Sequence, residues 1–313
     1  RQLNLRSLLT NSDSTDQENF ADISVIMPAY QAADTILRAL QSVSIQTLKP
    51  FEVIVVDDGS NDNTFETASE FQDKMNGVNL KIIRQINTGA GAARNTAISH
   101  ARGEYLAFLD ADDEWLPIKI EKSFERLMDG NNLLVSHDIW AIEGDRETQL
   151  ECSARFKAAA KEPFVGLYRK GFIATSSVIT RRQAVLAAKG FDDTLIVGQD
   201  FDLWLKLLGS PDVQFDVFDQ PLTLYYVSPY SITSQTEQRL TNTLAIAIRH
   251  APTLRHYSGS PIVSLWFRIL AVHCEATTAY WKNRKIGRCF FTLLRLPINA
   301  ILLTTKFVWT TLP

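Results

Sequence analysis

Three carboxylates directly follow an apolar run, and they are the side chains of this chain best suited to holding a metal. Leu106–Leu109 has the pattern of a buried strand that delivers Asp110, Asp112 and Asp113 to one point. Like charges this close raise each other's pKa unless a cation offsets them, and hard oxygen ligands suit Mg²⁺ or Mn²⁺. We predict a divalent metal at Asp110 and Asp112, where it would neutralise phosphates. The alternative is a helix-capping acidic turn before Trp115.

Two more polar clusters follow the first two apolar runs. Tyr30, in Pro28-Ala29-Tyr30, could stack on a nucleobase or pack on its own sheet. Asp58, in Asp57-Asp58-Gly59-Ser60, could accept the ring N–H of a pyrimidine. Aspartate, glycine and serine are also common in plain turns, so neither cluster is decisive alone.

A glycine-rich segment, Asn87–Asn95, resembles a phosphate loop. Gly89 and Gly91 would let the backbone approach a ligand, and a helix that begins there would favour an anion. Arg94 could pair with a phosphate or with the carboxylates of its own site. The segment follows the third strand and lacks the last glycine of the dinucleotide fingerprint. A helix start with small residues for packing on the sheet is the alternative.

Gly198–Trp204 places a carboxylate at the start of a predicted helix, which Trp204 anchors through its apolar side. Asp200 could take the proton from an acceptor hydroxyl, as a general base does. The alternative is that Asp200 or Asp202 only favours the helix N-terminus electrostatically.

Regularly alternating apolar runs and helical patterns must position these side chains. Such alternation predicts an α/β fold with a mostly parallel sheet covered by helices on both faces, which binds ligands beyond the carboxyl ends of its strands. The predicted strands are Ile23–Met27, Phe51–Val56, Leu80–Ile83 and Tyr105–Leu109, and the predicted helices are Thr35–Gln46, Thr64–Met75 (capped by Asn63), Gly89–His100 and Pro117–Met128.

The second half of the chain is less regular. We predict strands at Leu133–Ile142 and Phe172–Ile179, a variable connection at Glu143–Pro163, and a helix at Phe201–Leu208. From about Leu240 the pattern is helical. The expected organisation is a leader (1–21), one domain (22–239) with halves at 22–130 and 131–239, and a helical region (240–313).

Composition excludes some classes of protein. Hydrophobic residues make up 45% of 313, enough for a sizeable core, and the formal net charge of −3 gives no reason to expect nucleic-acid binding. Three cysteines, Cys152, Cys274 and Cys289, match no metal motif and are expected to be reduced thiols in the cytoplasm. The polar first residues carry no apolar run of a signal peptide.

Taken in order, the clusters resemble family 2 glycosyltransferases, which have the GT-A fold. The resemblance runs from about Asp22 to Thr233. Its motifs are Pro28-x-Tyr30, Val56-Asp57-Asp58-Gly59-Ser60, Asn87-x-Gly89 to Ala93-Arg94-Asn95, Asp110-x-Asp112, and Asp200 before Leu203-Trp204.

The resemblance implies an inverting enzyme that moves a sugar from a nucleotide-diphosphate sugar, expected to be a UDP-sugar, to a hydroxyl of a saccharide or lipid-linked acceptor, as in polysaccharide or glycolipid biosynthesis. Mn²⁺ or Mg²⁺ would be the cofactor, with Asp112 as the direct ligand and Asp110 beside it. Asp200 would be the general base. The donor-binding residues would be Pro28, Ala29, Tyr30, Asp57, Asp58, Arg94, Asp110 and Ala111.

The sequence departs from the family pattern at three positions: Gln31 replaces a frequent asparagine, Gln199 a frequent glutamate, and Ser228 a frequent metal- or diphosphate-binding histidine. These departures keep open a nucleotide-sugar-binding or assembly protein without turnover. A sugar-phosphate nucleotidyltransferase is less favoured, because Ala29–Thr35 lacks a glycine-rich basic loop.

The final segment, 261–313, is basic and apolar, with seven basic residues and one acid, Glu275. Arg295, Pro297 and Lys306 interrupt the apolar run of Cys289–Pro313, so we expect an interfacial helix rather than a spanning one. Phe307 and Trp309 would lie at the lipid boundary. The expected location is cytoplasmic, peripheral at the inner face of the cell membrane; packing on the domain is the alternative.

Overall fold

A computed structural model describes residues 20–227 and 235–309. The predicted leader lies almost wholly outside the described residues, and so does Ser228. The strands are β1 (Phe20–Ala29), β2 (Lys49–Asp57), β3 (Asn79–Arg84), β4 (Tyr105–Phe108), β5 (Glu114–Trp115), β6 (Leu134–Glu143), β7 (Arg146–Leu150), β8 (Ile179–Arg181) and β9 (Phe215–Tyr226). The helices are α1 (Ile36–Ser44), α2 (Thr64–Ser69), α3 (Ala90–His100), α4 (Lys119–Asp129), α5 (Cys152–Ala158), α6 (Pro163–Lys170), α7 (Arg182–Ala187), α8 (Gln199–Leu207), α9 (Thr236–His250), α10 (Pro261–Lys282) and α11 (Ile286–Trp309).

The described strands form one sheet in the order β3-β2-β1-β4-β8-β6-β9-β5, with β7 paired to β6. Strands β3, β2, β1 and β4 are parallel neighbours. Because β8 is antiparallel to both β4 and β6, and β6 is parallel to β9, these last two run with the first four. Strands β5, β7 and β8 run the other way. The predicted α/β fold is confirmed, and β5, β7 and β8 make its sheet mixed.

The central strands are apolar on both faces because helices cover both. Ile26 lies in register between Ile54 and Phe108, and all three pack in the core on one face. Val25 and Val53 are register partners in the core on the other face. Burial of each such side chain stabilises the fold by about 1.5–3 kcal/mol. This double-sided core fixes where the strands end, and so where the polar clusters begin.

The predicted strand at Phe172–Ile179 is wrong. Thr175–Ser177 forms a short 3₁₀ helix, and β8 starts only at Ile179. The Ser177 hydroxyl donates to the Ala174 carbonyl oxygen at 2.7 Å. Serine and threonine hydroxyls that bond nearby backbone in this way favour turns over strands. The segment becomes part of the site described below.

Two other sequence predictions need correction. The segment Glu143–Pro163, predicted as a variable connection, contains regular structure: β7, which pairs with β6, and then α5. The predicted helix at Thr64–Met75 ends at Ser69 and is followed by a separate 3₁₀ turn. Asn63 makes no side-chain cap; instead, Asp62 Oδ1 accepts from the Thr64 N–H at 3.1 Å.

The C-terminal helices form an antiparallel hairpin. Trp266 Nε1 of α10 donates to Thr304 Oγ1 of α11 at 2.7 Å, and the Cys289 thiol near the start of α11 lies 3.5 Å from the Thr277 carbonyl oxygen. Helix α11 runs through Pro297 without a break. By length and composition alone, α11 could cross a membrane.

Candidate active site

Strands β1 and β2 bring the first two predicted clusters side by side. Pro28 and Ala29 are in register with Val56 and Asp57. Just beyond the strands, the Asp58 backbone N–H donates to the Ala29 carbonyl oxygen at 2.8 Å. Parallel strands present their carboxyl ends at one edge of the sheet. The loops that follow β1 and β2 therefore begin side by side, and the polar residues that start them are adjacent.

Asp58 holds the glycine-rich loop against this edge. Its Oδ1 accepts from the Thr88 N–H at 2.9 Å and from Gln85 Nε2 at 2.8 Å, and its Oδ2 accepts from the Gly89 N–H at 2.8 Å. Gly89 has φ 95°, a left-handed conformation that suits glycine, and α3 begins at the next residue. Asp58 thus fixes the loop that starts the helix carrying Arg94.

Asp57 and Tyr30 differ sharply in exposure. Asp57 is fully buried, its Oδ1 accepts from the Ser60 N–H at 3.0 Å, and its Oδ2 lies 3.1 Å from Arg84 Nε. Its contacts therefore hold the turn. Tyr30 is 52% exposed, and within the described residues no aromatic or cationic side chain packs on its ring. The Tyr30 ring is free to meet a flat ligand.

The acidic turn follows β4, next to β1. The Leu109 N–H donates to the Ile26 carbonyl oxygen at 3.1 Å, and the Asp113 N–H donates to the Asp110 carbonyl oxygen at 3.0 Å, closing the turn. Ala111 is buried inside it. The turn therefore holds the carboxylates of Asp110 and Asp112 close enough to interact electrostatically.

Arg94 is the point where three elements converge. It is buried, and its Nη2 donates to Asp110 Oδ1 at 2.5 Å, while its guanidinium lies 5.3 Å from the centre of the Phe191 ring. Burial lowers the pKa of Arg94, but the charges of Asp110, Asp200 and Asp112 outweigh it and leave the pKa raised. The structure thus brings Arg94 of α3 together with the acidic turn and α8.

Asp112 and Asp113 have different roles although they are adjacent. Burial and the nearby charge of Asp110 raise the pKa of Asp112 to about 6. The pKa of Asp113 is raised well above its usual range by complete burial and by the charges of Asp110 and Asp112. The Asp113 carboxylate accepts from the Ser176 hydroxyl at 2.5 Å and from the Tyr226 N–H at 3.3 Å. Asp113 is therefore a structural acid that ties the turn to its neighbours.

The residues of the turn fit a hard divalent cation. In the described part of the chain, no other residue donates a hydrogen bond to the Asp112 carboxylate, whereas Asp110 shares one oxygen with Arg94. Arg38 holds the turn through the Asp112 carbonyl oxygen, at 2.7 Å. The described ranges contain no group of three or more acids, histidines or cysteines that could hold a metal alone. Phosphate and water oxygens would have to complete the coordination, as is usual for Mg²⁺.

Asp200 lies in the first turn of α8, two residues after Gly198, whose φ of 84° is left-handed. Its Oδ2 accepts from the Thr175 hydroxyl and its Oδ1 from the Phe201 N–H, both at 2.8 Å. Trp204 is fully buried and anchors the helix. The carboxylate is thus held on a fixed helix while remaining partly accessible.

Gln199 and Asp202, which flank Asp200, have structural roles. Gln199 Nε2 donates to the Ile196 carbonyl oxygen at 2.9 Å, which closes the turn before α8. Asp202 is fully buried, and its carboxylate contacts Lys206, Arg249 and His250. The third departure from the family pattern, at Ser228, lies outside the described residues.

Thr175 and Ser176 are site residues that the sequence analysis missed. Thr175 contacts Asp200, and the Ser176 hydroxyl accepts from the Asp110 N–H at 3.1 Å while donating to Asp113. Their only signal in the sequence is a run of hydroxyl side chains. That run indicates a turn, but nothing in it shows which acids the turn would meet.

The sheet and its acidic edge define a glycosyltransferase with the GT-A fold. The chain belongs to glycosyl transferase family 2, whose family model matches residues 24–187. The chain is 31% identical over 188 residues to Escherichia coli WfaP, named UDP-Glc:alpha-D-GlcNAc-diphosphoundecaprenol beta-1,3-glucosyltransferase, covering 60% of this chain and 70% of WfaP. It is 33% identical over 214 residues to the amylovoran biosynthesis glycosyltransferase AmsB of Erwinia amylovora, covering 65% of this chain and 69% of AmsB.

Solved structures show the same fold. S. aureus TarS 1-349 in complex with UDP-GlcNAc superposes with a TM-score of 0.67 at 18% identity, covering 91% of this chain and 80% of TarS. The mannosyltransferase PcManGT from Pyrobaculum calidifontis, in complex with GDP-Man and Mn²⁺, superposes with a TM-score of 0.59 at 18% identity. It covers 98% of this chain and 93% of PcManGT. The predicted family, fold and enzyme class are confirmed.

Proposed function

We propose that this glycosyltransferase uses Mn²⁺ or Mg²⁺ to move a sugar from a UDP-sugar to a hydroxyl of a lipid-linked saccharide, inverting the anomeric centre. One observation carries the proposal: the buried Arg94 guanidinium pairs with Asp110 of the acidic turn, and the charges of Asp200 and Asp112 add to that pairing in raising the pKa of Arg94. These acids come from two distant segments of the chain. Their convergence supports a single site that would hold both an acceptor-activating group and a diphosphate-binding group.

The nucleotide half of the donor would lie along the ends of β1 and β2. The exposed Tyr30 ring offers a stacking surface for the base. Gly89 is the sole donor to Asp58 Oδ2 within the described residues, and a carboxylate oxygen can accept more than one hydrogen bond. Asp58 can therefore accept a base N–H while still holding the loop. Pro28, Ala29, Asp57 and Ala111 would shape this part of the site through their backbone.

The diphosphate would lie at the acidic turn. When bound there, the cation would neutralise the charge that develops on the leaving diphosphate. Asp112 would be its direct protein ligand and Asp110 would stand beside it. The proposal draws support from the unshared Asp112 carboxylate and from the Arg94 contact to Asp110, which holds that acid in position.

On the other side of the sugar, Asp200 would take the proton of the acceptor hydroxyl. The hydroxyl oxygen would attack the anomeric carbon from the face opposite the diphosphate, whose bond to that carbon breaks, and this geometry inverts the anomeric centre. The carboxylate is oriented for this task by Thr175 and by the helix that carries it. Nucleophile activation and leaving-group stabilisation thus fall to separate acids.

A lipid-linked acceptor is supported by two independent observations. The name of WfaP gives a diphosphoundecaprenol-linked sugar as its acceptor. The α10–α11 hairpin of this chain exposes large apolar side chains beside basic ones. Trp281, Ile286 and Phe290 are 68%, 65% and 65% exposed, and the exposed basic residues around them are Lys282, Arg284, Lys285 and Arg288.

We propose that this hairpin contacts the cytoplasmic face of a membrane peripherally. Amphipathic helices with aromatic and basic side chains bind the interface of anionic bilayers. Contact there would hold the site close to a lipid-borne acceptor. An α11 that spans the bilayer is the competing arrangement, since its length allows it.

The direct test is a transfer assay with the purified full chain. UDP-glucose, UDP-N-acetylglucosamine and GDP-mannose would be offered with a prenyl-diphosphate-linked N-acetylglucosamine, in Mn²⁺ or in EDTA. We expect metal-dependent transfer from one UDP-sugar. Asp112→Asn should lower transfer at least about 100-fold, and Asp129→Asn, which alters an exposed acid at the end of α4, should not.

Donor hydrolysis without acceptor would separate the remaining readings. Hydrolysis of a UDP-sugar without transfer would support the enzyme but reject this acceptor. Binding of UDP with neither hydrolysis nor transfer would favour a nucleotide-sugar-binding protein without turnover. Transfer that is equal in Mn²⁺ and EDTA would contradict the metal-dependent mechanism.

A further inference from the structure

The residues between α6 and β8 contact both Asp200, the proposed base, and the acidic turn that would bind the diphosphate. Thr175 donates through Oγ1 to Asp200 Oδ2 at 2.8 Å. One residue later, the Ser176 hydroxyl donates to Asp113 Oδ2 at 2.5 Å and accepts from the Asp110 N–H at 3.1 Å. Two neighbouring side chains therefore bond the proposed base and the acidic turn. We call this pair the Thr175–Ser176 bridge.

The bridge is built as a rigid part of the structure. Thr175 is 8% exposed and Ser176 3%. The Ser176 carbonyl oxygen accepts from Trp115 Nε1 at 2.6 Å and from Thr223 Oγ1 at 3.2 Å, which fixes the backbone from β5 and β9. Because these side chains are already fixed, they lose little conformational entropy when they orient a neighbouring carboxylate. The bridge can therefore hold Asp200 and the acidic turn at a fixed separation as well as fill space.

We infer that Thr175 is a positioning residue for Asp200, and that the bridge sets the distance between the base and the diphosphate-binding turn. Asp200 needs such a support because its own helix supplies only the Phe201 N–H, at 2.8 Å. The charges of Arg94 and Asp200 attract each other, which would draw the carboxylate towards α3. The Thr175 hydroxyl opposes that displacement by holding the second carboxylate oxygen. This inference rests on the proposed role of Asp200 as the base.

Removal of the Thr175 hydroxyl should lower the rate of turnover and leave donor binding unchanged. Without it the Asp200 carboxylate can rotate towards Arg94, away from the acceptor hydroxyl. Misplacement of a catalytic group by about 1 Å can cost on the order of 100-fold in rate. We expect Thr175→Val to lower kcat about 10- to 100-fold while KM for the donor and the affinity for UDP change little. Thr175→Ser, which keeps the hydroxyl, should restore most of kcat.

Thr180→Val is the matched control. Thr180 is fully buried in β8, and its hydroxyl donates to the Leu133 carbonyl oxygen at 2.9 Å, away from the site. The same substitution there removes a buried hydrogen bond of similar length. Its kcat should stay close to wild type, even if the melting temperature falls. Equal losses of kcat in both threonine variants would overturn the inference, because they would reflect general destabilisation.

A double-mutant cycle with Asp200→Asn completes the test. Residues that act through one another show non-additive effects, so Thr175→Val should cause no further loss of kcat in an Asp200→Asn background. A full additional loss there would overturn the inference while leaving the proposed function intact. If Asp200→Asn itself turned over like wild type, the proposed function would fail instead. The two failures are thus distinguishable.

Discussion

Arg94 is the residue on which the site depends most. Its guanidinium is buried and faces Asp110, Asp112 and Asp200, so it offsets charges that would otherwise repel one another. Buried ion pairs add little stability when complete, but removing one partner leaves an uncompensated charge and is costly. In the proposed mechanism the same group would serve both the stability of the fold and the geometry of the reaction.

We predict that Arg94→Met, which keeps side-chain length without charge, lowers the free energy of unfolding by about 2–4 kcal/mol. Arg181→Met is the control, since Arg181 pairs with the exposed Glu104 at 3.2 Å. Exposed pairs contribute only about 0–1 kcal/mol. Urea unfolding of both variants measures the difference. Equal losses would mean that Arg94 does not compensate the acids.

Single residues of the site were predictable in part. Asp110 and Asp112 stand out in the sequence because acids follow an apolar run. Asp113 looked equivalent, but it is a buried structural acid bonded to Ser176 and Tyr226. Those partners are more than sixty positions away along the chain. Local pattern cannot show such contacts, which is also why Thr175 went unnoticed.

At the scale of elements, α8 matters because it carries Asp200 and is tied to α9 by Asp202. The fully buried Asp202 carboxylate lies 2.8 Å from His250 Nε2, 2.9 Å from Arg249 Nη1 and 2.7 Å from Lys206 Nζ. Burial raises the pKa of Asp202, but hydrogen bonds and charges of His250 and Lys206 outweigh it and hold the pKa well below 3.8. This cluster fixes the helix against the C-terminal region.

A depressed native-state pKa stabilises the fold at pH values above the unfolded pKa. For Asp202 that contribution is fully present above about pH 4 to 5 and is lost as the pH falls below 3.8 through the native-state value. We predict that Asp202→Asn lowers the free energy of unfolding by about 1.5–3 kcal/mol at pH 7. The difference from wild type should shrink as the pH approaches 2. Urea unfolding at pH 7, 4 and 2.5 measures this, and a constant difference would contradict it.

Elements whose apolar pattern is regular were predictable, and the short or polar ones were not. The strands from β1 to β4 lie where the apolar runs of the sequence predicted them. A sheet covered on both faces requires continuous apolar runs, which are easy to recognise. Strand β7, with exposed residues throughout, carries no such signal. The turn at Thr175–Ser177 was mistaken for strand because apolar residues flank it.

Over the whole molecule, the sequence predicted the fold class, family and C-terminal helical region correctly. It did not predict how the second half completes the sheet, since β8 inserts antiparallel between β4 and β6. The hairpin of α10 and α11 adds a surface that exposes large apolar side chains to solvent. Large exposed apolar side chains on one surface mark an interaction site.

We predict that the full chain floats with vesicles containing anionic phosphatidylglycerol and binds neutral phosphatidylcholine vesicles much less, because Lys282, Arg284 and Lys285 are exposed beside Trp281 and Ile286. Trp281→Ser combined with Ile286→Ser should weaken flotation about tenfold or more without changing donor hydrolysis. Washing with high salt should release a peripheral protein. Retention at high salt would favour a spanning α11, and no flotation would contradict membrane contact.

The most direct test of the central claim compares Asp200→Asn with Asp193→Asn, a neighbouring exposed acid. UDP binding with Mn²⁺ by calorimetry and transfer from the accepted UDP-sugar would be measured for both. We expect both variants to bind UDP like wild type, while Asp200→Asn alone loses transfer by about 100-fold or more, as expected for a general base. Transfer by Asp200→Asn at the rate of Asp193→Asn would contradict the account.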